Sequence, residues 1–218
     1  MLEKLKNAVA QAQKVGRVLE FDPSVFDDPI ATKVHWTRMG RTNTNFKVRK
    51  LTESSPGRLE YKSTLSSMLF SFIFIVIGAI VPIWYFTSYH EASADMQSIL
   101  LPLLFGGIFL SVGIYLFYNK WKPIVIDKTA GYFWTGKNDP SEGQENKNAV
   151  QISDIHAVQL LSEFVRGDKK SYYVYETNFV LKDAERVNIV SQGGTRRSSV
   201  AEAELLAKYL DIPFWDAS

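Results

Sequence analysis

Two stretches without a charged side chain limit what this chain can become. Ser63 to Tyr89 gives 27 consecutive uncharged residues, and Met96 to Asn119 gives another 24. About 20 apolar residues in helical rise cross the hydrocarbon of a bilayer. Strands are much shorter than these runs, and a soluble core helix would show a polar stripe. Each run therefore predicts a transmembrane helix. Arg58 and Lys62 precede the first, Lys120, Lys122 and Lys128 follow the second, and the connecting HEASAD holds only Glu91, Asp95 and His90. Basic residues are retained on the cytoplasmic side, so both termini are expected there. Trp84, Tyr85 and Tyr89 fit the outer interface and Tyr115, Tyr118 and Trp121 the inner one. A six-residue connection, 90–95, makes the pair an antiparallel hairpin. Neither run sits where a cleaved signal peptide would, since residues 1–20 contain no comparable apolar stretch.

Average composition hides this clustering, because 22% charged residues resembles an ordinary soluble protein. A net charge of +2 is too weak to argue for nucleic acid. The absence of cysteine excludes disulfides, thiolate metal sites and a cysteine nucleophile.

Around the hairpin the pattern changes period. Residues 1–20 place Leu2, Leu5, Val9 and Ala12 on one face of an expected amphipathic helix, lying on an anionic leaflet or packed on its own domain. FDPSVFDDPI reads as a turn-rich loop. KVHW, NFKVRKL and RLEY read as short strands, the last running almost directly into the first span. After the second span, PIVID and YFWT form an expected hairpin. AVQI, IHAVQLLSEFV, YYVYETNFVL and RVNIVS follow as further strands, the middle two separated by RGDKK. Ser199 and Glu202 match a capping box, with Ala203, Leu206 and Leu210 on one helical face, Pro213 as a stop, and Phe214 and Trp215 returning to the sheet.

From PIVIDKTAGYFWTG to AEAELLAKYLDIPFW, about half the chain, this arrangement resembles the bacterial pleckstrin-homology-like (bPH-type) domains that follow a transmembrane hairpin in small two-pass membrane proteins. The resemblance is one of pattern. It implies an α+β membrane protein of the bacterial inner membrane: an antiparallel transmembrane helical hairpin, then a cytoplasmic PH-like antiparallel β-sheet or barrel closed by a C-terminal helix. The expected divisions are 1–20, 21–62, 63–89, 90–95, 96–119 and 120–218. The strands before the hairpin either join the later sheet or form their own layer.

Catalytic signatures are missing from the pattern. His35, His90 and His156 are isolated, no zinc spacing, Walker loop, nucleophile elbow or dinucleotide fingerprint occurs, and the spans contain no ionisable group. No cofactor or metal is expected, and the chain reads as a non-enzyme. One stretch has ligand chemistry: Gly193 and Gly194 before Arg196 and Arg197 at a helix start, an anion site or an ordinary solvated loop. Basic residues before the first span, among them Arg41, Arg49 and Lys50, attract anionic lipid or simply mark the cytoplasmic side. Ser67 with Ser71, and Gly107 with Ser111, are small residues four apart that permit close helix packing. Pro82 and Pro102 are expected to kink or end helical turns.

The leading expectation is a scaffold or accessory subunit whose PH-like domain assembles with itself or with a larger membrane protein complex, its partners being membrane lipids and protein but no nucleic acid. A module binding anionic lipid or phosphate through Arg196 and Arg197 is the second, and an enzyme with an unrecognised site the third.

Overall fold

The structure is a computed structural model, and it describes residues 21–40, 44–88, 96–166 and 171–218. The expected helix over 1–20, Arg41, Tyr89, the 90–95 connection and most of RGDKK lie outside those residues.

Strands β1 (Arg49–Ser55) and β2 (Arg58–Ser63) form an antiparallel hairpin that passes through one residue into helix α1 (Leu65–Ser88). That residue, Thr64, is tied to the chain entering β1: its amide donates to Val48 O at 2.9 Å and its hydroxyl to Lys47 O at 2.9 Å. Helix α2 (Met96–Lys120) returns, and three residues later β3 (Ile124–Asp127) pairs with β2, Tyr61 opposite Ile124. The helical hairpin is thus inserted between two neighbouring strands of one sheet. The question of the early strands is settled: they belong to the same sheet as those after the hairpin, so 21–62 and 120–218 are not separate units.

That sheet has the order β1-β2-β3-β4-β5, with β4 at Tyr132–Thr135 and β5 at Val150–Gln151. A second sheet has the order β8-β7-β6-β9, from β6 (Ile155–Val165), β7 (Tyr172–Leu181), β8 (Arg186–Gly193) and β9 (Phe214–Ala217). All pairings are antiparallel except β6–β9. Helix α3 (Arg196–Leu210) lies between β8 and β9 in the chain and adds Ala203, Leu206, Ala207 and Leu210 to a core that also holds Leu59, Ile126, Phe133, Leu160 and Phe179. Full burial of Leu206 contributes about 1.5–3 kcal/mol.

Side chains stitch the open seam between β8 and β1. Gln192 accepts from the amides of Val48 and Arg49 at 2.9 and 2.8 Å and donates to Arg49 O at 3.0 Å. Glu202 accepts from Leu51 N at 3.0 Å and pairs with Lys47 at 2.9 Å. Backbone groups on the outer edge of β1 thereby find partners that a neighbouring strand would otherwise supply, which blunts the edge.

Several expectations change. Lys33–Trp36 is turn and irregular chain, because Val34 and Trp36 pack beside Trp215 and the Trp36 indole donates to Ala31 O at 3.0 Å. Ladder pairing in β1 begins at Arg49, not Phe46. Thr195 rather than Ser199 caps α3, accepting from Ser198 N at 3.3 Å, and Glu202 is engaged with β1 instead of a capping box. Both prolines stand inside continuous helices.

Within the helical pair, Ser67, Ser71 and Gly78 are buried on α1. A Cβ on Gly78 would lie 2.4 Å from Leu110 N, and one on Gly106 would lie 2.4 Å from Pro82 Cγ and 2.7 Å from Gly78 O. Close backbone contact therefore requires glycine at both places. Gly107 and Ser111 do not take part: nothing lies within 4 Å of a Gly107 Cβ, and the exposed Ser111 hydroxyl donates to Gly107 O of its own helix at 2.7 Å. One residue turns a helix by about 100°, which carries Gly107 away from the contact that Gly106 makes.

Candidate functional site

In the Gly193–Arg197 segment, for which an anion site is one of two readings, Gly193 and Arg196 are engaged within the protein. Gly193 is the last residue of β8, and a Cβ there would lie 2.4 Å from Asn45 C and 2.5 Å from Thr44 O. This glycine lets two backbones cross, so its role is steric. Arg196 donates through Nη2 to Asp216 Oδ2 at 2.5 Å and through Nε to Ser218 O at 3.1 Å. It holds the C-terminal strand β9 against the start of α3. Arg197 is exposed, as is Gly194. The two arginines are therefore not brought together on one anion.

Much of the basic group before α1 is also engaged. The Arg38 guanidinium is 5% exposed and donates to Glu163 Oε2 at 2.7 Å, Gly40 O at 3.0 Å and Ser191 Oγ at 3.0 Å. Arg49 reaches Lys122 O at 2.9 Å, Tyr61 O at 3.3 Å and Asn119 O at 3.4 Å. A cation there complements the negative end of the α2 dipole and takes up the Asn119 carbonyl in its last turn. Burial lowers the Arg49 pKa from its ordinary value, yet a guanidinium remains protonated near neutral pH. Arg49 is consequently a joint between sheet and helix and not a lipid contact, while Lys50 stays exposed on β1. Ser63 completes the joint, its hydroxyl donating to Lys120 O at 2.8 Å, and the Lys120 amine reaches the Ser67 carbonyl.

The most elaborate polar arrangement was not expected from the sequence. Gln159, Glu176 and Asn178 are fully buried where residues 35–40 cross the outer face of the second sheet. Glu176 accepts from Met39 N at 2.8 Å, Gly40 N at 2.9 Å and Asn178 Nδ2 at 2.9 Å, with Arg38 Nε at 3.7 Å. Arg186 donates to Thr37 O at 2.8 Å and Gln159 Oε1 at 3.2 Å, while Gln159 Nε2 donates to His35 O at 3.2 Å. Asn188 donates to Asn178 Oδ1 at 2.9 Å. Burial lowers the Arg186 pKa, and the charge of Glu176 opposes that. Every group here faces backbone of the crossing segment or another member of the network. It is a clamp, and its buried carboxylate is consumed by two backbone amides and the Asn178 side chain.

Beside it, Phe21, Phe26 and Trp36 stack toward Trp215, with Phe26 and Trp215 centroids 5.7 Å apart. His156 Nε2 meets Asp28 Oδ2 at 2.6 Å. Burial pushes the Asp28 carboxyl up, but hydrogen bonds from His156 and Ile30 and the charge of His156 outweigh it, so the net direction is down. His156, isolated in sequence, thus serves to hold the N-terminal segment.

Among the described residues, no group of three or more His, Asp or Glu side chains is placed to hold a metal ion. Comparison with protein-family models, with curated proteins and with solved structures finds no match to this chain.

Proposed function

We propose that this protein is a non-enzymatic, membrane-anchored assembly module. Helices α1 and α2 span the bilayer as a hairpin with both termini cytoplasmic. The PH-like domain holds a protein partner, a second copy or a subunit of a larger complex, at the membrane surface. The observation that carries this reading is the insertion of the hairpin between the paired strands β2 and β3. An anchor built into a sheet fixes the domain relative to the bilayer, as holding a partner in a defined position demands.

Other observations support it. Both helices are long and apolar enough to cross a membrane, and only 11% of each apolar window is buried within the protein. A core helix of a soluble protein would be covered. Two mainly antiparallel sheets with a C-terminal helix over their common core are consistent with a PH-like domain. The buried arginines and carboxylates at the clamp and the joint are spent on backbone groups, which leaves them in structural roles. Arg196, already paired with Asp216, lends no support to an anion site shared with Arg197.

The test is purification of the full chain in mild detergent, with native mass spectrometry of what co-elutes. A stoichiometric protein partner or a homo-oligomer is expected. A bare monomer carrying an acidic lipid would instead favour a lipid-binding module. Reporter fusions check the topology: an enzyme active only outside the cytoplasm should work after Glu91 and fail at Asn146 or Ser218, and activity at Ser218 would overturn the orientation.

A further inference from the structure

We propose that the end of the β6–β7 hairpin is a second membrane contact, in which the exposed Phe164–Tyr173 pair and the adjacent Arg166 seat in the headgroup layer beside the spans. The proposal rests on the two-span reading above.

Phe164 and Tyr173 stand directly opposite one another across β6 and β7, with ring centroids 5.1 Å apart. They are 54% and 50% exposed on strands whose central residues are buried. Large aromatic area left in water is unfavourable unless something covers it. The register shows where the pair lies. Ladder pairing of β8 to β7 ends at Gly193 opposite Val174, whereas β6 and β7 continue through Phe164–Tyr173 and Val165–Tyr172. The two strands therefore overhang the sheet, by about 3.4 Å per residue.

The overhang is at the end of the domain from which the helices leave. Gly193 abuts Asn45, the next residue, Phe46, has its ring 6.4 Å from Phe70 of α1, and Gln192 binds Arg49, which caps α2. At the opposite end, the Tyr209 hydroxyl near the close of α3 reaches the Gly57 carbonyl in the β1–β2 turn. Helix α3 thus runs away from the bilayer and the β6–β7 overhang runs toward it.

Its chemistry is that of a membrane interface. Tyrosine bodies are apolar with a polar tip, and aromatic rings concentrate at headgroup depth. Exposed Arg166 follows Phe164 by two residues and suits an anionic surface. Tyr173 stacks on Tyr175 at 6.4 Å, which extends the aromatic contact along β7. Tyr118 and Trp121 at the end of the helical hairpin, 54% and 60% exposed, are aromatic rings of the same kind at the base of the spans.

The chain has no cysteine, so single labels can be placed at will. Tyr173→Cys, Glu53→Cys and Leu104→Cys full-length chains would each carry an environment-sensitive fluorophore. Each is reconstituted in nanodiscs of phosphatidylcholine and phosphatidylglycerol, with nitroxide on headgroups or on acyl chains. The expected result is loss of most Tyr173 emission to headgroup nitroxide, none at Glu53, and loss at Leu104 to acyl-chain nitroxide. Quenching at Leu104 with Tyr173 no different from Glu53 overturns this inference and leaves the two-span reading standing. No quenching at Leu104 overturns the two-span reading itself. Emission from Tyr173 that shifts only in discs holding two copies would assign the pair to a copy–copy interface and also overturn the proposal. In a Phe164→Ser, Tyr173→Ser variant, a label at Arg166→Cys should fall to the Glu53 level; retained quenching would show that the aromatic pair does not hold the tip.

Discussion

Replacing Glu176 with glutamine changes one oxygen to an amide nitrogen at constant shape, and the clamp cannot absorb it. If the remaining oxygen stays at Oε1, the bonds from Met39 N and Asn178 Nδ2 survive, but the new NH2 then faces the Gly40 amide that Oε2 accepted at 2.9 Å. Flipping the amide moves the conflict to Met39 and Asn178. One buried backbone donor is left without an acceptor, which costs about 1–3 kcal/mol. Arg38 also loses the more buried of its two carboxylate neighbours, keeping Glu163, which is 59% exposed and correspondingly weak as a partner. The expected total is about 2–4 kcal/mol. For a unit of this size, about 3 kcal/mol corresponds to a fall in Tm of roughly 6–12 °C. Residues 35–40 should loosen first, since five of the bonds described above end on their backbone. Trp36 and Trp215 pack at the same face, so tryptophan fluorescence during thermal unfolding and limited proteolysis of residues 21–40 report the change together. Unaltered melting with unaltered protease resistance would refute the clamp.

Gly106→Leu should force α1 and α2 apart and lower thermal stability in detergent by at least about 1–3 kcal/mol, the usual range for overpacking, whereas Gly107→Leu should match the wild type; equal effects would refute the assignment of faces. Asp28→Asn should cost about 1–2 kcal/mol at neutral pH through the lost bond from His156. Because the folded carboxyl lies below its ordinary value of 3.8, that contribution is complete above 3.8 and disappears as pH falls through the lower folded value. A wild-type to Asp28→Asn difference that persisted in strong acid would contradict it. Arg196→Ala should weaken the hold on β9 by no more than about 1 kcal/mol, since the pair is largely exposed, and should leave binding to anionic vesicles unchanged; a large loss of vesicle binding would restore the anion site.

The two long helices were legible because more than 20 residues without a charge are too long for a strand and leave no polar stripe for an amphipathic helix. Which face of α2 meets α1 was not. Gly106 and Gly107 are neighbours in sequence, and only the partner helix, through Pro82 and Gly78, distinguishes them. Strands such as β6 and β7 followed from alternation, but the β2–β3 pairing joins residues on either side of both helices, and local pattern carries no information about it. The clamp escaped for a related reason. Glu176 and Asn178 sit two apart on one face of a strand, which ordinarily reads as a solvated face. Residues 35–40 turn that face into an interior. That two polar residues interrupt an otherwise apolar strand was the available clue. At α3 the S-x-x-E pattern was genuine, yet Glu202 had a better use at the edge of β1, and Thr195 took over the cap.

The position of the hairpin also orders the events of synthesis. A ribosome delivers β1 and β2 first, then both apolar helices, and only afterwards the strand that β2 must pair with. Until α1 and α2 have been brought together, β2 lacks its partner β3 and the first sheet stays split into the β1–β2 hairpin, too small to be stable alone, and the β3–β5 strands. The second sheet and α3 then lack the surface that completes their core. Pairing of the two helices is therefore a precondition for completing the fold, and a chain whose helices fail to pair exposes an unfinished sheet edge of the kind chaperones and proteases recognise.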